Sequence, residues 1–378
     1  MKIPYGKQWI TDDDYEKVRE VLESPYLTTG PYVTEFEKKF AKYIGAKYSV
    51  AVASGTAALH LAAQTVKVSN GKEVITTPMS FAATSNCVLY NSGMPVFSDI
   101  TERGLINPEL IPQKITDNTI GMIPVHYMGL PCDLEALSKI AKENDLFIIE
   151  DACHALGAKY NNHHIGNCRY SDLAVFSFHP VKHITTGEGG MITTNSKEMY
   201  ETLQVLRTHG ITKDQSAFTT DHDEPWYQEM QYLGFNYRLT DIQAALGLSQ
   251  LARIDEIVAR RREIAAEYFD FFDTLSEHVE TIREMDNEYN SYHLFVVKLK
   301  NPKMRRGLFE FLKERGIFCQ IHYIPIYWHP YYRQHGFENE YQSNAEKFYE
   351  QIISLPIYPT LTDEEFEFVK TSLRTYFT

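Results

Sequence analysis

Two residues in this chain have the types and spacing to do chemistry together. Lys182 ends the run Ser177-Phe178-His179-Pro180-Val181-Lys182 and is followed by Thr185-Thr186-Gly187-Glu188-Gly189-Gly190. A lysine amine is protonated in water near neutral pH. In a small polar turn just past a buried strand it can lose that proton and condense with an aldehyde. Asp151 stands 31 residues earlier, where the apolar run Leu146-Phe147-Ile148-Ile149 meets Glu150 and Asp151. An acid placed to hold a pyridine nitrogen and an amine placed to form a Schiff base are the two groups that pyridoxal phosphate needs from a protein. Taken singly, Lys182 reads as a solvated surface charge and Asp151 as the cap of a following helix. The pairing is what argues for chemistry.

Secondary-structure elements must bring the two together. Short apolar runs at 48–52, 73–76, 95–97, 120–125, 146–149, 173–178 and 190–193 have helical patterns between several of them, at 56–66, 107–115 and 133–143. Buried strands alternating with helices predict a mostly parallel sheet covered on both faces. Polar residues collect just past those runs, at Ser54-Gly55-Thr56, Thr77-Pro78-Met79-Ser80-Phe81, His126-Tyr127, Asp151 and Ser177. Ligands bind at the carboxyl edge of such sheets, so one site assembled from five places is expected. Ser54-Gly55-Thr56-Ala57-Ala58 is a small-residue turn feeding a helix, whose free N–H groups and hydroxyls suit a phosphate. An N-cap explains Ser54 or Thr56 about as well. Ahead of these runs, 12–22 has a helical pattern, and Thr34 with Glu37 reads as a capping box for a helix through Phe40.

The texture changes after 247. Residues 248–272 read as one long amphipathic helix, followed by a strand at 294–299, a helix at 304–315, a strand at 318–321 and helical stretches near 344–353 and 362–374. The expected division is a large domain over 1–247 and a smaller α+β domain over 248–378, with 213–230 as a surface excursion. Composition supports a well-cored soluble globule, at 43% hydrophobic and 23% charged residues. A net charge of -13 argues against a general nucleic-acid surface. No run of apolar residues is long enough for a membrane span, and Met1-Lys2-Ile3-Pro4-Tyr5-Gly6 lacks the apolar core of a signal peptide. Five scattered cysteines without a C-x-x-C pair fit reduced thiols in cytoplasm. His163-His164 and His322, His329 and His335 stand at no recognised ligand spacing, so no metal is expected.

Taken in order, Ser54-Gly55-Thr56, Thr77-Pro78-Met79-Ser80-Phe81-Ala82-Ala83-Thr84, Asp151-Ala152-Cys153-His154-Ala155, Ser177-Phe178-His179-Pro180-Val181-Lys182 and Gly234-Phe235-Asn236-Tyr237-Arg238-Leu239-Thr240-Asp241 resemble the DegT/DnrJ/EryC1/StrS family. These are nucleotide-sugar aminotransferases of pyridoxal-phosphate fold type I, aspartate aminotransferase-like, dimeric, with the active site at the subunit boundary. The resemblance spans essentially the whole chain. It implies that Lys182 is the Schiff-base lysine and general acid-base, and that Asp151 pairs with the pyridine nitrogen. It implies phosphate contacts from Thr56 and Ser177, with Gly55 supplying backbone, and places His154 near the cofactor's phenolic oxygen. Phe81 matches the aromatic over one ring face. Cys153 takes the position under the other face, where the family usually has Ala; this is the one mild departure. Asn236 matches a residue reaching the phosphate from the neighbouring subunit of a homodimer. Without the resemblance, His154 would be a structural histidine, Phe81 core, Cys153 a small buried residue, and Asn236 with Arg238 a loop pair.

The runs Arg315-Gly316-Ile317-Phe318-Cys319-Gln320-Ile321-His322-Tyr323-Ile324-Pro325-Ile326-Tyr327 and Asn290-Ser291-Tyr292-His293-Leu294 resemble the branch acting in pseudaminic acid synthesis. That likeness implies amination at C4 of UDP-2-acetamido-2,6-dideoxy-β-L-arabino-hex-4-ulose. L-glutamate would be the donor and pyridoxamine phosphate the intermediate cofactor form. His322, Tyr323 and Arg238 are then the candidate substrate contacts. A bacillosamine-type enzyme acting on a UDP-α-D-xylo-4-keto sugar, or one acting on a dTDP-keto sugar, would share every cofactor residue. A sugar dehydratase of the same superfamily would carry His in place of Lys182. A pyridoxal-phosphate-binding regulator would carry a DNA-binding appendage or lack the lysine.

Overall fold

The computed structural model describes residues 1–338 and 340–378. Helix α1 (Asp12–Leu22) opens on Asp12, Asp13 and Asp14, which complement the positive end of its dipole. Helix α2 (Pro31–Ile44) starts at Pro31 rather than after Thr34. Pro lacks the N–H that a first turn would leave unpaired. The remaining donors are taken by a distant side chain, since the fully buried Asp241 carboxylate accepts from Gly30 N at 2.7 Å and Tyr32 N at 2.8 Å. Glu37, expected to close a capping box, turns inward instead and accepts from Ala51 N at 2.8 Å and from the Arg207 guanidinium.

The main sheet is built from β1 (Tyr48–Val52), β2 (Glu73–Thr76), β3 (Met94–Phe97), β4 (Thr119–Ile123), β5 (Phe147–Asp151), β8 (Leu173–Ser177) and β9 (Gly190–Thr194). A small hairpin of β6 (Lys159–Tyr160) and β7 (His163–His164) interrupts the count. The strand order is β1-β9-β8-β5-β4-β2-β3. β9 runs antiparallel to β1 and β8, and the other pairings are parallel. Helices α3 (Gly55–Thr65), α4 (Ala83–Tyr90), α5 (Leu134–Glu143) and α6 (Lys197–Leu206) connect or flank the strands. Successive strand residues feed opposite cores. Ala51, Ile148, Ala174 and Phe176 pack with Phe36 and Phe40 of α2, whereas Val50, Val52, Ile149 and Val175 pack with Leu59, Leu61, Val88 and Leu203. The expected helix at 107–115 is two short 3₁₀ turns, Pro108–Leu110 and Pro112–Lys114; Pro112 has no N–H to carry a helix through.

The expected single helix at 248–272 is two. Helix α7 (Asp241–Ala252) starts on a Thr240–Gln243 capping box, and α8 (Ile254–Asp273) follows a break at Arg253, so residues 247 and 248 lie within one helix. The C-terminal part sets α8, α9 (Met304–Glu314) and the helix Asp363–Phe377 against an antiparallel sheet of Val279–Thr281, Phe295–Leu299 and Ile352–Leu355. Tyr268, Phe272, Phe295, Leu308, Ile353 and Val369 form its core. The segment 318–321 is not a strand; Gln320 makes only an isolated bridge to Ser354. The late helix ends at Gln351, and 352–355 is strand. Among the described residues no helix is long and apolar enough to cross a membrane.

Candidate active site

At the carboxyl ends of β1, β2, β5 and β8 the chain encloses a cavity of about 480 Å³, in the range that holds a small cofactor and its substrate. Gly55, Thr56, Phe81, Asp151, Cys153, His154, Ser177, Lys182, His322 and Tyr323 all line it. Asn236 and Arg238 do not. Asn236 is exposed and pairs its backbone with Thr208, and Arg238 pairs its backbone with Val52.

Asp151 ends β5 with its side chain buried and doubly held. Thr84 Oγ1 donates to Oδ2 at 2.6 Å, and Cys153 N donates to Oδ1 at 3.1 Å. Ser80 Oγ, 2.5 Å from Thr84 Oγ1, steadies that donor in turn. No helix follows Asp151; 152–158 form turns closed by Ala155 N to Ala152 O at 2.8 Å and Ala158 N to Ala155 O at 3.0 Å. A helix-cap role is therefore ruled out by the fold.

Lys182 follows the end of β8 in a turn where its own N–H donates to His179 O at 2.9 Å. Burial of the amine lowers its pKa from the ordinary value, against the opposing pull of Cys153 and Asp151. Burial raises the Cys153 thiol well above its own usual range, so at neutral pH it is uncharged. Four buried histidines surround the amine. His154, His183 and His293 are pushed well below the usual imidazole value by burial and by nearby cations, and His322 is lowered to about 3.

His154 Nδ1 accepts from Met128 N at 3.3 Å, which leaves the ring hydrogen on Nε2, 3.1 Å from the Tyr323 hydroxyl. His322 Nδ1 lies 2.8 Å from Ser354 Oγ. Phe81 is 63% exposed at the cavity mouth, with its ring 6.3 Å from that of Tyr323. It is not a core residue.

The walls fit a phosphate-bearing ring cofactor. A side chain at Gly55 would put a Cβ 2.8 Å from Ser177 Cβ. Glycine therefore lets the α3 N-terminus close on Ser177 and bring its free N–H groups to one cup. Ser54 Oγ caps the helix by accepting from Ala57 N at 3.1 Å, and Ser177 Oγ accepts from His179 N at 3.4 Å with its hydroxyl hydrogen left for a ligand, beside the hydroxyl of Thr56. Among the described residues no cluster of His, Cys, Asp and Glu is arranged to hold a metal ion.

Several lining residues had no assigned role in the sequence. Thr84 was only part of a motif, since its carboxylate partner lies 67 residues away. His293 stands only within the run Asn290-Ser291-Tyr292-His293-Leu294, and its neighbour Lys182 is 111 residues distant. Tyr5, near the N-terminus, reaches the cavity beside His322, with ring centroids 5.3 Å apart. A single sequence carries no local signal for such contacts.

Comparison with known proteins gives this geometry its context. Residues 8–374 match the DegT/DnrJ/EryC1/StrS aminotransferase family. The chain is 37% identical over 379 residues to the spore coat polysaccharide biosynthesis protein SpsC of Bacillus subtilis, covering 98% of this chain and 96% of that protein. It is 32% identical to Helicobacter pylori PseC, an aminotransferase involved in the biosynthesis of pseudoaminic acid, with a TM-score of 0.93 over 100% of this chain and 99% of PseC. It is 29% identical to the putative sugar aminotransferase Spr1654 of Streptococcus pneumoniae, solved in a pyridoxal-phosphate form, with a TM-score of 0.92 over 100% and 99% of the two chains. The chain therefore belongs to the DegT/DnrJ/EryC1/StrS aminotransferase family, and it is a pyridoxal-phosphate-dependent sugar-nucleotide aminotransferase related to PseC.

Proposed function

We propose that the enzyme aminates C4 of UDP-2-acetamido-2,6-dideoxy-β-L-arabino-hex-4-ulose, taking the amino group from L-glutamate and releasing 2-oxoglutarate. The observation that carries this reading is the likeness to PseC along the full chain. It is supported by the placement of His322 and Tyr323 in the cavity wall facing Lys182.

Pyridoxal phosphate, when bound, supplies an aldehyde that captures an amine and a ring that takes up the electron pair left when a carbon–hydrogen bond breaks. The protein does the rest by placement. Thr56, Ser177 and the N–H groups at Gly55 hold the phosphate. Phe81 and Cys153 fix the ring between them. Asp151, oriented by Thr84 and Cys153 N, keeps the ring nitrogen protonated. His154 faces the phenolic oxygen. Lys182 Nζ would anchor the cofactor; once freed by the donor's amine, it would take the proton from the donor carbon and deliver it to the carbon that had been the cofactor's aldehyde, and in the second half-reaction the transfer would run the other way, onto C4 of the sugar. Its lowered pKa favours the uncharged amine that this role requires.

In this reading Asn236 and Arg238 serve the cavity of a partner copy, which accounts for their position outside their own chain's cavity. Arg238 would meet the sugar-nucleotide's pyrophosphate. The shared site makes a homodimer the working unit. All five cysteines are free and four are buried, which supports a reducing, cytoplasmic setting.

SpsC, at 37% identity, favours a second reading: the same chemistry on a different nucleotide-linked keto sugar used in polysaccharide assembly. A substrate panel decides. Holoenzyme and glutamate are incubated with UDP-linked 4-keto-6-deoxy sugars of β-L-arabino and α-D-xylo configuration and with dTDP-linked 3-keto and 4-keto sugars. A preference in kcat/KM of about 100-fold for the β-L-arabino sugar, roughly 2.7 kcal/mol, is expected. A preference for the α-D-xylo sugar or a dTDP-sugar replaces the reading.

A further inference from the structure

His293 approaches the reacting amine directly. Its Nε2 lies 3.5 Å from Lys182 Nζ, and the residue is 4% exposed. The segment carrying it is pinned from several sides. Arg261, buried in α8, donates through Nη1 to the carbonyls of Tyr292 at 3.1 Å, His293 at 3.2 Å and Ile357 at 3.0 Å. Ser291 N and Leu294 N donate to Gly129 O and Met128 O, each at 3.3 Å. His183 Nε2 lies 3.0 Å from Ser291 O. Tyr292, immediately before His293, takes a left-handed backbone with φ 47, held by its N–H donating to Asn290 Oδ1 at 2.8 Å. An aromatic residue enters that region only where the surroundings over-determine it, and such strain clusters at functional sites.

The ring's hydrogen can be assigned. His293 Nδ1 has no partner among the described residues. A buried N–H without an acceptor is rarer than an under-used acceptor, so Nδ1 is the bare nitrogen and the hydrogen sits on Nε2, facing Lys182. The ring stays neutral because burial, Lys182 and Arg261 all oppose a second proton. Lys182 is faced in turn by Asp151 and Cys153 from the end of β5.

We propose that His293 is a catalytic residue: its Nε2–H donates to the lone pair of the free Lys182 amine, holding that amine uncharged and aimed between its two proton transfers. The contact favours the amine over the ammonium, because the ammonium has no lone pair to receive the hydrogen. His293 itself neither gains nor loses a proton; the proton taken from the donor carbon rests on Lys182 Nζ and leaves from there. This rests on Lys182 being the reacting lysine, as proposed above.

The test begins without cofactor. Cofactor-free protein is treated with trinitrobenzenesulfonate across a pH series, and the Lys182 peptide is quantified by mass spectrometry. Wild type should label with a midpoint below the ordinary 10.5. His293→Phe should raise the midpoint by about one pH unit, a roughly tenfold shift in the protonation equilibrium. His293→Gln, whose amide N–H can replace the donor, should stay near wild type. In holoenzyme the Phe variant should slow the glutamate half-reaction by at least about 100-fold, with Gln recovering a large part. Should the Phe variant fail to fold, His293→Asn, too short to reach Nζ, carries the same expectation. An unchanged midpoint in a folded Phe or Asn variant overturns the proposal. Borohydride capture of the cofactor on a different lysine would instead defeat the assignment of Lys182, so the two failures are distinguishable.

Discussion

Replacing Asp151 by Asn keeps its size and lets its amide oxygen still accept from Cys153 N, with the amide NH2 now donating to Thr84 Oγ1, but removes the carboxylate proposed to face the ring nitrogen. Turnover should fall by roughly 100-fold or more, while the cofactor stays bound, checked by steady-state rates alongside the bound-cofactor spectrum. Wild-type turnover in that variant would leave Asp151 as a structural group. For Lys182, holoenzyme should absorb near about 400–430 nm. Borohydride should fix the cofactor to the Lys182 peptide, and Lys182→Ala should abolish turnover. At this scale legibility followed sequence distance. Lys182 and Asp151 stood out because each lies within a few residues of the end of an apolar run that a buried strand requires. Thr84 and His293 did not, since what makes them part of the site is a neighbour brought in by the fold.

Elements were legible where local rules decide them and missed where a distant group does. The seven strands could be placed to within two residues because most are buried on both faces and rich in apolar residues; the edge strand β3, with Met94 45% exposed, is buried on one face only. The start of α2 was misplaced because its cap is Asp241, more than two hundred residues away. Asp241→Ala should therefore cost about 2 kcal/mol or more in urea unfolding, above the usual loss of an N-cap, because buried N–H donors are left unpaired. A loss within 0.5 kcal/mol, the rough range of a surface change, would mean that water or a neighbour replaces it. The stretch at 107–115 failed for a simpler reason: its apolar spacing suggested a helix, and Pro108 and Pro112 limited it to single turns.

The four buried, neutral histidines around Lys182 are an acid liability for the whole molecule. Each imidazole is uncharged in the fold but takes up a proton in the unfolded chain below its ordinary 6.5. Stability present above pH 6.5 is therefore lost as pH falls toward the lowered folded value, about 3 for His322. Urea unfolding of cofactor-free protein between pH 6.5 and 4 should show this slope, and His322→Gln should flatten it by up to about 1.4 kcal/mol per pH unit. An equally steep profile in the variant would move the liability elsewhere. The proposed shared site makes a separate prediction. Lys182→Ala and Asn236→Asp, each inactive alone, should regain part of the activity when their subunits are remixed, because one site of the mixed dimer escapes both changes. No recovery in mixed dimers verified by mass spectrometry would remove Asn236 from the partner's cavity.

The cavity is walled by both parts of the chain: Thr56, Asp151 and Ser177 on one side, His293, His322 and Tyr323 on the other. A ligand touching both walls ties them together, and at a thousandfold excess over its Kd it adds about 4 kcal/mol to the folded state. Proteases in the cell act on the opened fraction, which shrinks by the same factor. Vitamin B6 supply would thus govern how long each copy survives as well as how fast it works, and a starved cell would lose enzyme abundance and activity together.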